Sequence, residues 1–210
     1  NGRWWKGVFW PEALPLVDST IVFGIADLMN HMQIGCFRIP SVVTDGKSRV
    51  LVFAEARMGT CVDCGISRIV WKESLDGGNS WGGLNYLTPP GERATNPTCL
   101  YDHNLDQVVV HYMVGHNLHN PNSNHTKSQQ RARKTLCMPG HRNMQAVLSN
   151  KSTIWTFNDI SSFLVPYVGA FPGPGNGMYD RVSGRYLFAA HYLTAFREKN
   201  GDFSEVQGIV

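Results

Sequence analysis

Short apolar runs alternate with turn formers along most of this chain. Runs rich in Val, Ile, Phe and Tyr occupy 49–53, 66–71, 107–114, 145–148 and 185–190. Thr44-Asp45-Gly46, Asp76-Gly77-Gly78 and Ser183-Gly184 punctuate them, which predicts strands joined by tight turns. Apolar positions at helical spacing are nearly absent. Only 14–31 could hold a helix, and even that segment is rich in Val and Ile. The best apolar stretch, 14–29, is broken by Asp18 and Asp27 and falls short of the roughly 20 residues of a membrane span. A polar stretch, 115–134, reads as an exposed loop between strands. It carries His116, His119 and His125, with His111 just before it; their spacing matches no metal geometry, and a solvated loop is the plainer reading.

Composition narrows this picture. With 210 residues, 42% hydrophobic, 17% charged and 11% aromatic, the chain can bury one sizeable core or two small ones, and disorder is disfavoured. Its 21 Gly and 11 Pro agree with an all-β chain of many turns. A net charge of +3 is too slight to point to nucleic acid or an anionic membrane. The five cysteines are an odd count and too few for a disulfide scaffold. Cys61 and Cys64 have CxxC spacing, but no second such pair exists for zinc. Ordinary thiols are therefore the plainest reading, with a disulfide next and a metal last. Sequons at Asn124 and Asn150 permit secretion without arguing for it. The start at Asn1-Gly2-Arg3, without Met, suggests a piece of a longer chain. Cytosolic, lysosomal and secreted destinations therefore all stay open.

The most specific string is Ser74-Leu-Asp76-Gly-Gly78-Asn-Ser80-Trp81. It fits a hairpin in which Asp76 accepts backbone N–H groups, Gly78 takes a positive φ and Trp81 packs beneath the turn. A generic Asp-Gly hairpin is the plainer alternative. A degraded copy follows at 148–155, with Asn150 in the Asp76 position, Ser152 in the Gly78 position and Trp155 in its place. Repetition of this kind points to radially arranged four-stranded sheets, a β-propeller.

Five blocks in order give the chain a family resemblance. They are Phe37-Arg38-Ile39-Pro40, Ala54-Glu55-Ala56-Arg57, the octet 74–81, Asn96-Pro97, and Phe171-Pro-Gly-Pro-Gly leading into Gly184-Arg185-Tyr186. Together they resemble the sialidase (neuraminidase) family, whose Asp-box is the octet, and the match runs over about 33–197. The resemblance implies a six-bladed β-propeller of which about three blades are present. A lead-in segment would occupy 1–32 and the N-terminal half of the propeller 33–210. Ser74, Asp76, Gly78 and Trp81 would be structural residues of the Asp-box.

The resemblance also implies roles. Arg38 would grip a substrate carboxylate, a task suited to a bidentate guanidinium, unless it is a strand-end arginine in a surface ion pair. Arg57 would lie beside it toward the sugar's O4, or simply cap a strand. Asp63 would be the general acid and then the general base, or a loop aspartate in an Asx-turn. Asn96 near an N-acetyl pocket and Tyr192 near a glycerol chain are less distinctive, since a turn residue and a strand aromatic would read the same. Glu55 is expected to be structural. Neither a metal nor a cofactor is implied.

Retaining sialidases use a tyrosine nucleophile activated by a glutamate, an exception to the two-carboxylate rule. That pair and two further arginines would lie past the end of this chain; Glu198 and Glu205 come too early. The implied activity is that of an exo-α-sialidase acting on sialylated glycoproteins, glycolipids or oligosaccharides, with the isolated segment inactive. A non-catalytic propeller that binds sialylated glycans is the alternative. A scaffold for protein partners has only the fold in its favour.

Overall fold

The structure is a computed structural model that describes residues 2–5, 8–11, 19–61, 65–90, 93–115, 142–164, 171–193 and 206–209. Side chains are described for 19–61, 65–90, 93–115, 142–163 and 172–190. The polar stretch with His116, His119 and His125, as well as Asp63, Cys64 and Cys137, lies outside the described residues.

The described residues are almost entirely β. A short hairpin, β1 (Gly2–Trp5) with β2 (Val8–Pro11), precedes α1 (Ile25–Asn30), the one α-helix among the described residues, which falls inside the segment expected to allow one. Two four-stranded antiparallel sheets follow. The first runs in order β3 (Ile34–Thr44), β4 (Val50–Met58), β5 (Ser67–Ser74) and β6 (Asn85–Tyr86). The second is made of β7 (Arg93–Asp102), β8 (Gln107–Gly115), β9 (Arg142–Ser149) and β10 (Thr156–Asp159). Both are simple meanders, the blade topology expected of a propeller. Strands of a further unit come next: β11 (Phe171–Pro172), β14 (Ala190–Leu193) and β15 (Val206–Ile209) form one sheet, and β12 (Met178–Asp180) and β13 (Arg185–Leu187) a hairpin.

Alternation along the strands builds the core. Val43, Leu51, Phe53 and Ile69 of the first sheet meet Cys99, Val108, Val110, Tyr112 and Ala146 of the second. On the other face of the first sheet, Ala54, Ala56 and Val70 are covered by Phe23 and Leu28 from the helical segment. A Lys72–Asp27 ion pair of 2.7 Å pins that segment down.

The two repeated octets occupy equivalent places, each between the third and fourth strands of its sheet. In the first, Asp76 accepts the Ser80 N–H at 2.9 Å, the Ser80 hydroxyl at 2.6 Å and the Ser74 hydroxyl at 2.7 Å. These bonds, led by those from Ser80 and Ser74, hold its carboxyl well below the usual range. Gly77 and Gly78 have φ of 73° and 98°, a conformation glycine adopts without steric cost. In the second octet, Trp155 turns into the core and meets Phe53 and Trp71 edge-on at centroid distances of 5.9 and 5.8 Å.

The first strands carry a repeated kink. In β3 the register shifts between Arg38 and Ser41, and in β7 between Thr95 and Thr98. The residue before proline has positive φ each time: Ile39 at 52°, Asn96 at 55° and, directly after β11, Gly173 at 66°. For β-branched Ile39 this conformation costs about 1–3 kcal/mol, so the surrounding contacts must hold it. Both β3 and β7 are edge strands, where the missing N–H of proline leaves no ladder bond broken.

On the face of the second sheet away from the main core, His111 is buried against Phe188, and neither ring nitrogen makes a hydrogen bond of good geometry. Burial lowers its pKa from 6.5 to about 4, against a smaller opposing effect of Asn143. The unfolded chain therefore binds more protons between those two pH values. Stability from this residue is complete above about pH 6.5 and falls as the pH drops toward 4. The loss amounts to about 3 kcal/mol. Denaturant titrations at pH 7 and pH 4 are expected to show this component in the wild type and to lack it in His111→Gln.

Candidate functional site

Glu55 and Arg57 are two residues apart in an otherwise apolar strand, so both side chains point to one face, toward the second sheet. Glu55 is 1% and Arg57 5% exposed. Burial of this kind requires a partner for each charge, and they supply one another. Arg57 Nε donates to Glu55 Oε2 at 3.0 Å, and Nη2 stands 3.0 Å from the same oxygen in an ion pair. Its Nη1 donates to the Cys61 carbonyl at 2.9 Å. The other carboxylate oxygen, Oε1, accepts the Asn96 N–H at 2.8 Å. That N–H is free of the ladder because Asn96 sits in the kink of β7. The Asn96 side chain in turn donates from Nδ2 to the Pro172 carbonyl of β11 at 2.9 Å.

Arg38 stands directly opposite Glu55 in the register of β3 and β4, at the β3 kink, and its side chain is exposed. Arg38, Glu55 and Arg57 thus share one face at one end of the first sheet. Asn96 and Pro172 bring the starts of β7 and β11 to the same place. A second polar cluster locks the strands below it. The buried Ser41 hydroxyl accepts the Cys99 N–H at 3.0 Å and shares its proton between the Gly175 carbonyl at 2.9 Å and Asn176 Oδ1 at 2.7 Å.

Cys36 and Cys61 form a disulfide with Cα atoms 5.7 Å apart. This corrects the expectation of ordinary thiols for these two, whereas Cys99 is a buried free thiol whose pKa burial pushes up to about 12. Cys36 lies opposite Arg57 in the register, which is why the disulfide and the Arg57 bond converge on Cys61. The segment leading to Asp63 is therefore tethered at its start, while Asp63 itself lies outside the described residues. Tyr192 is in β14, opposite Gln207 of β15, and only its backbone is described. No group of three or more metal-ligating side chains occurs among the described residues, and no helix of theirs is long and apolar enough to cross a membrane.

Sequence reasoning left the Ser41–Asn176–Cys99 cluster unseen, and no local signal marks a serine that bonds residues over a hundred positions away. The Glu55 network was more accessible. Two charges spaced by two in an apolar strand are a signal of a buried pair.

Solved structures similar to this chain include sialidases. The Hadza microbial sialidase Hz136 matches with a TM-score of 0.61 at 20% identity, over 78% of this chain and 34% of that one. The leech intramolecular trans-sialidase gives 0.58 at 14% identity, over 91% of this chain and 46% of that one. The NanB sialidase of Streptococcus pneumoniae gives 0.56 at 13% identity, over 84% of this chain and 44% of that one. The chain has the sialidase-like β-propeller fold and spans less than half the length of these three structures. No protein-family model and no curated protein matches its sequence.

The buried pair makes a direct test. Glu55→Ala leaves the Arg57 guanidinium buried without its carboxylate and is expected to cost about 3–5 kcal/mol in a denaturant titration. Glu55→Gln, which keeps one acceptor for Arg57, is expected to cost less. Equal stability of wild type and Glu55→Ala would contradict the assigned network.

Proposed function

We propose that this chain is the N-terminal half of an exo-α-sialidase that removes terminal sialic acid from glycoproteins, glycolipids or oligosaccharides with retention. In this reading 1–32 is a lead-in segment and 33–210 the first half of the propeller. The octet 74–81, with Ser74, Asp76, Gly78 and Trp81, is an Asp-box that serves the fold rather than the chemistry. The observation that carries the proposal is the meeting of exposed Arg38 with the buried Glu55–Arg57–Asn96 network at the kinked first strands, in a fold shared with sialidases.

The chemistry follows from the residue types. Arg38 pairs with the substrate carboxylate through two parallel N–H···O bonds. Arg57 lines the neighbouring wall, fixed by Glu55, so that little freedom is lost on binding. Asn96 and Tyr192 contribute to the sides that receive the N-acetyl group and the glycerol chain. Asp63 protonates the leaving glycosidic oxygen and then takes a proton from water in the second step. The tyrosine nucleophile, its glutamate and two more arginines come from sequence beyond Val210.

A fluorogenic α-sialoside tests this. In the protein continued past Val210, Asp63→Asn is expected to lower kcat about 10²–10⁴-fold. Arg38→Lys is expected to lower kcat/KM by about tenfold or more through loss of the bidentate pair. The 210 residues alone are expected to turn over nothing. Turnover by them, or an undiminished rate in Asp63→Asn, would overturn the proposal.

A further inference from the structure

The two sheets differ at their outer edges. β6 pairs with β5 at only two positions, Val70 with Tyr86 and Trp71 with Asn85, whereas β10 pairs with β9 along four residues. Where the edge at β6 meets the outer strands of the second sheet there is a cavity of about 550 Å³, within the usual range for small-ligand sites. Arg68 and Tyr86 form one wall, and Tyr112, Arg142, Met144 and Phe157 the other.

Arg68 gives this cavity its character. Its guanidinium lies 3.8 Å over the Tyr86 ring, and Nε and Nη2 donate to the Thr88 carbonyl at 3.1 and 2.5 Å. Nη1 is left over. Among the described residues Arg68 makes no ion pair, and no carboxylate of theirs lines the cavity. Partial burial, outweighing an opposing influence of Tyr86, lowers the Arg68 pKa. A guanidinium partly withdrawn from water, with no described counter-charge beside it, gains somewhat more from an anion than a fully exposed one would. Opposite it, Phe157 is 47% exposed and makes a platform for the apolar face of a ring.

We propose that this cavity is a second saccharide site, distinct from the one at Arg38, which binds a sugar bearing a carboxylate. The carboxylate would meet Arg68 Nη1 while the sugar ring rests on Phe157. The choice of a sugar acid over other ring-shaped anions rests on the sialidase reading above, since a sialylated glycan can present more than one such unit. Occupation here would hold one branch of a glycan while another reaches Arg38, raising avidity without a new contact at the first site.

Chemical-shift titration of the chain with N-acetylneuraminic acid, against methyl β-galactoside as the neutral control, tests the site. Arg68→Met and Phe157→Ala are each expected to weaken binding of the acid about five- to tenfold. The Phe157 side chain is half exposed, and its truncation leaves the backbone pairing with Ala146 in place, so the variant keeps the fold. Arg38→Met is expected to leave the shifts around Phe157 unchanged, and added salt to weaken them. Binding that ignores both cavity variants, or a galactoside that binds as tightly as the acid, would overturn the site. Loss of binding in Arg38→Met alone would overturn it too, yet leave the sialidase reading standing. An Arg38 variant of the longer protein with full turnover, beside a cavity that responds as expected, would remove only the sialidase reading.

Discussion

A single buried carboxylate ties the inner part of this molecule together. Glu55 is out of contact with water, and an ion so placed costs several kcal/mol unless its lone pairs are met. One oxygen is met from its own strand by Arg57, and the other from the neighbouring sheet by the Asn96 N–H. The second bond has a structural condition. It is made where β7 kinks, at a residue that has no ladder partner on β8. The kink then turns the Asn96 side chain toward β11, which it holds through the Pro172 carbonyl. Burial of one charge thus fixes the spacing of β4, β7 and β11. Arg57 carries the linkage on to Cys61 and, through the disulfide, back to β3.

A positive φ before proline recurs at Ile39-Pro40, Asn96-Pro97 and Gly173-Pro174, twice at the kink of a first strand and once directly after one. Sheets that radiate from a common centre bring their first strands close together, and straight strands would compete for the same space. A bulge turns β3 and β7 aside, and proline suits it because an edge strand has one open side, where a missing N–H breaks no ladder bond. What lies beyond each proline fills the space left. Ser41 follows Pro40 and bonds Cys99 of β7 as well as Gly175 and Asn176 of the connection between β11 and β12. Thr98 follows Pro97, and Gly173 approaches it so closely that a Cβ there would stand 2.5 Å from its hydroxyl oxygen. The requirement for glycine at 173 is therefore double, in backbone conformation and in space.

Much of this fold is legible in the sequence, and the exceptions share a cause. The apolar runs at 49–53, 66–71 and 107–114 mark β4, β5 and β8, the central strands buried on both sides. The longest strands, β3 and β7, give no continuous apolar run, because each carries a proline and polar residues at its kink. Edge strands beside a candidate site are where the local pattern gives way to long-range contacts. The same holds for the site. Arg38, Arg57 and Asn96 are recognisable from their blocks, but the disulfide partner of Cys36 and the acceptors of Ser41 are set by register and sheet order, which no local window contains.

The two octets show how a repeat is kept while its chemistry changes. Asp76 satisfies its carboxylate within its own turn, chiefly through Ser80 and Ser74. Asn150 occupies the equivalent place but looks outward: its amide nitrogen donates to both oxygens of Asp106 at 3.2 Å, and its oxygen accepts from Arg49, directly before β4. A carboxylate at 150 would face Asp106 as a like charge, whereas an amide both donates and accepts there. The change from Asp to Asn turns a local bond into a link between sheets, because Arg49 is itself held by Glu73 of β5. Trp155, seven residues on from Leu148 as Trp81 is from Ser74, does the same with packing, reaching Phe53 and Trp71 of the first sheet. Divergence of the second octet from the first is therefore a consequence of its position. A turn that abuts a neighbouring sheet gains more by bonding across the boundary than by closing on itself.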